Sequence, residues 1–286
     1  MEEENTISTK SFDYFIIKPL HKTKYGELFL VSNRLKPDED TLYLMKCIHL
    51  KSTEEKTKIL NEINMIKELN SEYIIKINYY FTEILENKEY ICLIFDYSKE
   101  NKNLEELIYN TYFLTSQNIW RIFIKLLIAI KYIHKKAIIV ENLVPQNIFI
   151  DQKKNIKIGG IKDILDLREV DTDYSLYKNP GIFNREKCDN KSNMWSLGCI
   201  LYEMVFKKKI FDYEENINNI YYEIPENSET DIKNILEKLI CKHDNILDVE
   251  KIIYDPILKR KIIEENLFSE IIQNNIEGKY KYNIIL

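Results

Sequence analysis

Over the first hundred residues, apolar positions fall in short runs of β-branched and aromatic residues. FDYFIIKPL (12–20), GELFLVSN (26–33), TLYLMKCIHL (41–50), IIKINYYFTEI (74–84) and EYICLIFDY (89–97) read as strands. One helix interrupts them. Ser52 can cap its first turn while Glu55 reaches back, and Ile59, Ile63, Ile66 and Leu69 recur at helical spacing. After about residue 103 the period changes. TSQNIWRIFIKLLIAIKYIHKK starts at a Thr115/Ser116 cap and carries an apolar stripe through Ile119, Phe123, Leu127 and Ile130. NIFIDQKKNIKI then reads as a short hairpin, and helices fill most of the remainder. The pattern predicts an α+β chain, with a small β-rich lobe holding one helix followed by a larger, mainly helical lobe.

No internal repeat, Pro/Ser/Gly linker or long single-sign charge run marks a break between independent domains. With 286 residues, 45% of them hydrophobic, the chain can bury a sizeable core. Lys and Arg number 41 against 46 Asp and Glu, for a net charge of −5, which argues against nucleic acid or an anionic membrane as partner. The start MEEENTISTK lacks the basic head and apolar core of a signal peptide, and Lys125 and Lys131 break the longest apolar run. The expectation is a soluble protein of the cytoplasm or nucleus. Cys47, Cys92, Cys188, Cys199 and Cys241 form no CxxC pair and read as reduced, buried thiols. His21, His49, His134 and His243 have no metal-ligand spacing.

The chemistry lies in the order of four stretches. LYLMK ends on Lys46, ILNEINMI carries Glu62, VENLVPQNIFI carries Asn142 and Asn147, and KSNMWSLGCILYEM follows downstream. In this order they resemble the strand lysine, its helix glutamate, the catalytic loop and the D-x-W-S-x-G helix of a eukaryotic-type protein kinase domain, over about Phe12 to Phe268. QNIF, NKSNMWSLGCILYEM and VEKIIYDPILKRKI are most similar to the NIMA-related Ser/Thr kinases. The resemblance implies a bilobal protein-kinase-like fold. Residues 1–11 would be an extension, 12–96 the N-lobe, 97–270 the C-lobe and 271–286 a tail. Lys46, Glu62, Gly26 and Asn147 would be the remains of a nucleotide site.

Phosphoryl transfer needs a base at the acceptor hydroxyl, metal ions on the phosphates and cations around the transferring group. The base position is Asn142, whose carboxamide cannot accept the proton, and the phosphate-directed lysine position is Val144. D-F-G should follow IKIG, where the chain reads GGIKDIL. The motif is either replaced by Gly160, Ile161 and Lys162 or shortened so that Gly160 is its glycine, and neither alignment supplies an aspartate. Asp163 lies three positions past the substituted slot, too far to ligate a metal unless the backbone is redrawn. In G-x-G-x-x-G the chain has His21, Thr23 and Gly26; with only six glycines in the chain, a compositional bias explains missing glycines better than missing carboxylates. Leu44 replaces the small residue that packs on adenine, so the pocket should be crowded. Glu141 stands where an arginine receives an activation-segment phosphate, and Gly181 and Ile246 replace both members of an ion pair.

Plainer roles accompany these readings. Lys46 and Glu62 are expected to form a structural ion pair, Asn147 to hold loop backbone, Val140 and Ile161 to fill core, and Asn193 to cap its helix. The charged segment DILDLREVDTDYSLYK (163–178) reads as a solvated loop. The expected function is that of a catalytically inactive kinase-like protein, a pseudokinase acting as a regulatory or scaffolding module. It would bind a protein partner, an active kinase among the candidates, with no catalytic residues, no metal, and ATP held weakly at best. The alternative is a divergent ATP-binding Ser/Thr kinase using Lys46, Glu62, Asn147 and a substitute carboxylate such as Asp163 or Glu141.

Overall fold

The computed structural model describes residues 14–33, 42–97, 102–110, 114–151, 155–169, 175–180, 189–211, 217 and 219–267. The expectations for residues 1–11 and 271–286, for Gly181 and for Cys188 lie outside the described residues.

Five strands form one antiparallel sheet in the order β1-β2-β3-β5-β4: β1 Tyr14–Thr23, β2 Gly26–Asn33, β3 Leu42–Leu50, β4 Ile77–Leu85 and β5 Lys88–Asp96. Strand alternation sorts the side chains into two layers. Leu28, Ile48, Leu93 and Phe95 join the main core with helix α1 (Thr53–Lys67), while Phe29, Val31, Met45, Phe81, Cys92 and Ile94 form a second cluster on the opposite face. Ser52 caps α1 by accepting the Glu55 N–H at 3.2 Å, and the Glu55 carboxylate reaches back to the Lys51 N–H at 2.7 Å. Ile59, Ile63 and Ile66 press the helix onto the sheet.

The second lobe is built on two buried helices. In α3 (Ser116–Lys135) the apolar positions extend round most of the helix, so it lies inside the lobe and not on its surface. Helix α4 (Asn190–Phe206) starts in a reciprocal cap, with the Ser192 N–H on the Asp189 carboxylate at 2.9 Å and the Asp189 N–H on the Ser192 hydroxyl at 3.0 Å. The cap is therefore Asp189. Asn193, expected to cap, sits inside the helix and grips another segment. A small sheet of β6 Lys102–Asn103, β7 Ile148–Ile150 and β8 Ile156–Ile158 packs against α2 (Leu104–Asn110) and α3, and α5 Thr230–Leu239, α6 Val249–Ile253 and α7 Pro256–Glu264 follow in the same lobe. The lobes are tied by backbone: Ile75 N–H donates to Ile158 O at 3.1 Å, and Ile158 N–H to Tyr73 O at 2.8 Å.

Candidate active site

The site lies in the cleft between the lobes, and a fully buried lysine locates it. Lys46 sits on β3 with its side chain toward the cleft, and none of it reaches solvent. Nζ donates to three backbone carbonyls: Asp163 O at 2.9 Å, Ile164 O at 3.4 Å and Asp166 O at 2.7 Å. An ammonium has three protons, so every donor is taken by the chain itself. Burial lowers the Lys46 pKa to about 8, while the Asp166, Asp163 and Glu62 carboxylates act in the opposite direction. The ion pair expected between Lys46 and Glu62 does not form. Glu62 pairs instead with Lys58 at 3.7 Å, one turn back on α1, and burial raises its carboxyl above the ordinary value. Carbonyls of the 163–166 segment reach the lysine in its place.

That segment is the second departure from expectation. Ile164, Leu165, Asp166, Leu167 and Arg168 are buried, so this part of the charged stretch is core and not a solvated loop. Hydrogen bonds turn it inward: Gly159 N–H donates to Asn147 O at 2.7 Å, Gly160 N–H to Leu165 O at 2.8 Å and Asn142 N–H to Gly160 O at 2.9 Å. Gly160 has φ +66°, and a Cβ there would stand 2.4 Å from Asn142 O and 2.6 Å from Asn147 Nδ2. The position where an aspartate was sought accepts only glycine.

The excursion closed by the Gly160–Leu165 bond delivers Asp166 to the site. Its Oδ1 accepts Asn147 Nδ2 at 3.1 Å, and Arg168 grips both oxygens, with Nε at 2.8 Å from Oδ1 and a terminal nitrogen at 2.5 Å from Oδ2. Burial would raise the Asp166 carboxyl, but the guanidinium and Asn147 override it and hold the group below the ordinary value. Asn147 is fully engaged, for Nδ2 also donates to Asn142 O at 3.1 Å and Oδ1 accepts Leu167 N–H at 3.3 Å. Asn142 and Val144 are buried in the loop. Asn193 fixes that loop from α4, accepting Val140 N–H at 3.0 Å and donating to Val140 O at 2.6 Å. Glu141 pairs with Lys162, and Asp163 faces Lys58 at 3.8 Å. Neither carboxylate meets Asn147. Val140 and Ile161 are buried in the main core, as is Ile246.

Above the segment, His21 Nε2 lies 2.8 Å from Leu167 O, so the roof strand is pinned to the floor. Thr23 and Gly26 close the β1–β2 turn, with Thr23 Oγ1 donating to Gly26 O at 3.0 Å; a Cβ on Gly26, at φ +145°, would stand 2.3 Å from Cys47 O. Gly26 is thus required by the close approach of β3. The other end of the cleft stays open. A cavity of about 540 Å³ is lined by Leu20, Leu28, Leu44, Phe95 and Phe149, with Leu167 and Arg168 at its inner wall. Leu44 stands in the wall as expected, but it does not close the pocket, whose volume is within the range of ordinary ligand sites.

A β-strand lysine beneath a hairpin roof, an asparagine-bearing loop anchored to a buried helix, and a two-lobed frame are now joined by a family match. The model of the protein kinase domain family matches residues 21–263. The chain belongs to the protein kinase domain family. The kinase domain is similar to NIMA-related kinases. It is 27% identical to the serine/threonine-protein kinase nekl-2 of Caenorhabditis elegans over 73% of this chain and 64% of that protein. Identity to the serine/threonine-protein kinase Nek2 of Homo sapiens is 24% over 90% of this chain and 62% of that protein, and to Nek3 of Oryza sativa subsp. japonica 27% over 72% and 36%. The chain spans less than two thirds of the length of these relatives.

Protein kinases commonly use ATP with magnesium, and the residues here do not fit the metal. Asn147 has both side-chain atoms on protein partners, and Asp166 is 1% exposed and held in a guanidinium fork. Among the described residues no group of three or more His, Cys, Asp or Glu is arranged to hold a metal ion. Sequence reasoning missed Asp166, Arg168 and the role of His21. A signal was present: in ILDLR the two opposite charges stand two apart in an otherwise apolar run, and a buried charge in such a run requires a partner.

Proposed function

We propose that this kinase domain is a pseudokinase, a regulatory or scaffolding module that binds another protein and does not transfer phosphate. The observation that carries the reading is Lys46: its three donors are held by the carbonyls of Asp163, Ile164 and Asp166, leaving none for a phosphate. Three others support it. A carboxamide, Asn142, stands at the base position, Val144 is buried where a lysine would face the phosphate, and Asn147 serves the backbone. An intact frame around a site without its chemistry leaves a surface as the retained function, with a protein, an active kinase among the candidates, as partner. No helix among the described residues is long and apolar enough to cross a membrane, and the cytoplasm or nucleus is the proposed location.

The test is thermal unfolding and phosphotransfer with ATP, with and without magnesium, on the protein and on Lys46→Met. The reading expects little ATP stabilisation and no phosphotransfer that depends on Lys46. Phosphotransfer lost in Lys46→Met would overturn it. One observation favours a second reading, a divergent kinase: Asp166 brings a carboxylate to Asn147, within 3.1 Å of Nδ2. That kinase would have to release Arg168 from Asp166 and Lys46 from its carbonyls, and magnesium-dependent stabilisation by ATP, abolished in Asp166→Asn, would favour it.

A further inference from the structure

On the face of the sheet away from the cleft, Cys47 of β3 and Cys92 of β5 are direct cross-strand partners, with their sulfurs 2.9 Å apart. Directly opposed residues of antiparallel strands have Cα atoms about 4.5 or 5.5 Å apart, and disulfides span roughly 4.4–6.8 Å, so the pair can be joined without moving the strands far. The separation along the chain is 45 residues, which hid the pair from spacing rules. Cys92 is buried beneath Phe81, Met45 and Ile94, while Cys47 is half-buried and the one that a small oxidant reaches.

We propose that Cys47 and Cys92 form a redox modification site, closing to a reversible intramolecular disulfide between β3 and β5 when a peroxide is the oxidant. In the first step the Cys47 thiolate attacks the peroxide: an S–O bond forms, the O–O bond breaks, and hydroxide leaves and is protonated to water. In the second the Cys92 thiolate attacks the Cys47 sulfur, the S–S bond forms, the S–O bond breaks and a second water leaves. Two thiols are oxidised by two electrons and one hydrogen peroxide is reduced to two waters. The Cys92 contact and burial push the Cys47 thiol up, so the first step is slow, and selectivity comes from adjacency.

The test is exhaustive oxidation of the full chain by hydrogen peroxide, followed by alkylation in denaturant, intact mass and peptide mapping. The expected product is monomeric, lacks two hydrogens, links the Cys47 peptide to the Cys92 peptide, returns to dithiol with dithiothreitol, and unfolds at a temperature higher by about 5 °C or more. In Cys92→Ser the link is absent, and Cys47 accumulates as a sulfenic acid that dimedone traps. Mapping of the unsubstituted protein decides the matter if that variant does not fold. Recovery of Cys47 and Cys92 as separate thiols, or as separately oxidised residues, after Cys241 has been fully consumed overturns the proposal.

Discussion

At one end of the interlobe cleft, Leu20, Leu44, Phe95 and Phe149 face about 540 Å³ of open volume, whereas at the other Lys46, Asn147, Asp166 and Arg168 are engaged with one another and with backbone. The wall there is mixed, since Asp96, Lys102, Glu105 and Glu169 line the same open volume beside the leucines and phenylalanines. Polar groups out of water need partners, and without a phosphate or metal ion a chain must supply them itself. Here the 163–168 segment does so with three carbonyls, one carboxylate and one guanidinium. On the proposed reading the open volume is the base end of a nucleotide site, and the Lys46 end is its phosphate end, filled by the protein's own groups.

If that contrast is right, the phosphate end carries stability that the base end does not. The largest expected effect is Arg168→Ala, which leaves Asp166 charged and buried without its fork; unfolding in urea should register a loss of about 3–5 kcal/mol. A double change, Asp166→Leu with Arg168→Leu, should recover most of that loss, because it removes both charges together.

Lys46→Met should cost about 2 kcal/mol at neutral pH, since three carbonyls lose their donor. Its pH dependence sharpens the point. Lys46 titrates at about 8 when folded and at its ordinary 10.5 when unfolded, so between these values the unfolded chain holds the proton that the folded chain has lost. Stability attributable to Lys46 therefore rises with pH across that window, and unfolding free energies measured at pH 8 and pH 10 should lose this slope in Lys46→Met. A lysine free in an open cleft would give neither result.

At the base end, Leu44→Ala should cost only about 1 kcal/mol, because the side chain already borders open space. By thermal shift, the enlarged pocket should gain stabilisation from adenosine and gain no more from ATP, since the phosphate end is occupied. Equal gains from both would break the comparison. The smallest effect is expected for His21→Ala, which removes one hydrogen bond to Leu167 O and should lower stability by about 1 kcal/mol or less in the same urea measurement.

The strands, the Ser52 cap and the order of the motifs were legible in the sequence, because each depends on residue type and local spacing. Periodicity alone brought the chain to the α+β lobes that the structure has. The fate of the polar groups was not legible. Glu62 stands where the motif requires it, yet it pairs with Lys58, and Lys46 meets carbonyls 117, 118 and 120 residues away. Asp166 reaches Asn147 because a loop closed by Gly160 N–H on Leu165 O turns the chain inward, and no fixed alignment offset anticipates such an excursion. Likewise Cys47 and Cys92 meet only through the register of β3 on β5.

By itself the sequence determined the frame and which reactive groups the frame lacks, since a missing carboxylate is missing in any conformation. Only the tertiary structure decided that the remaining lysine, asparagine and aspartate are occupied. A buried donor must be satisfied by whichever acceptor folding brings within about 3 Å, and that neighbour is set by packing between distant segments.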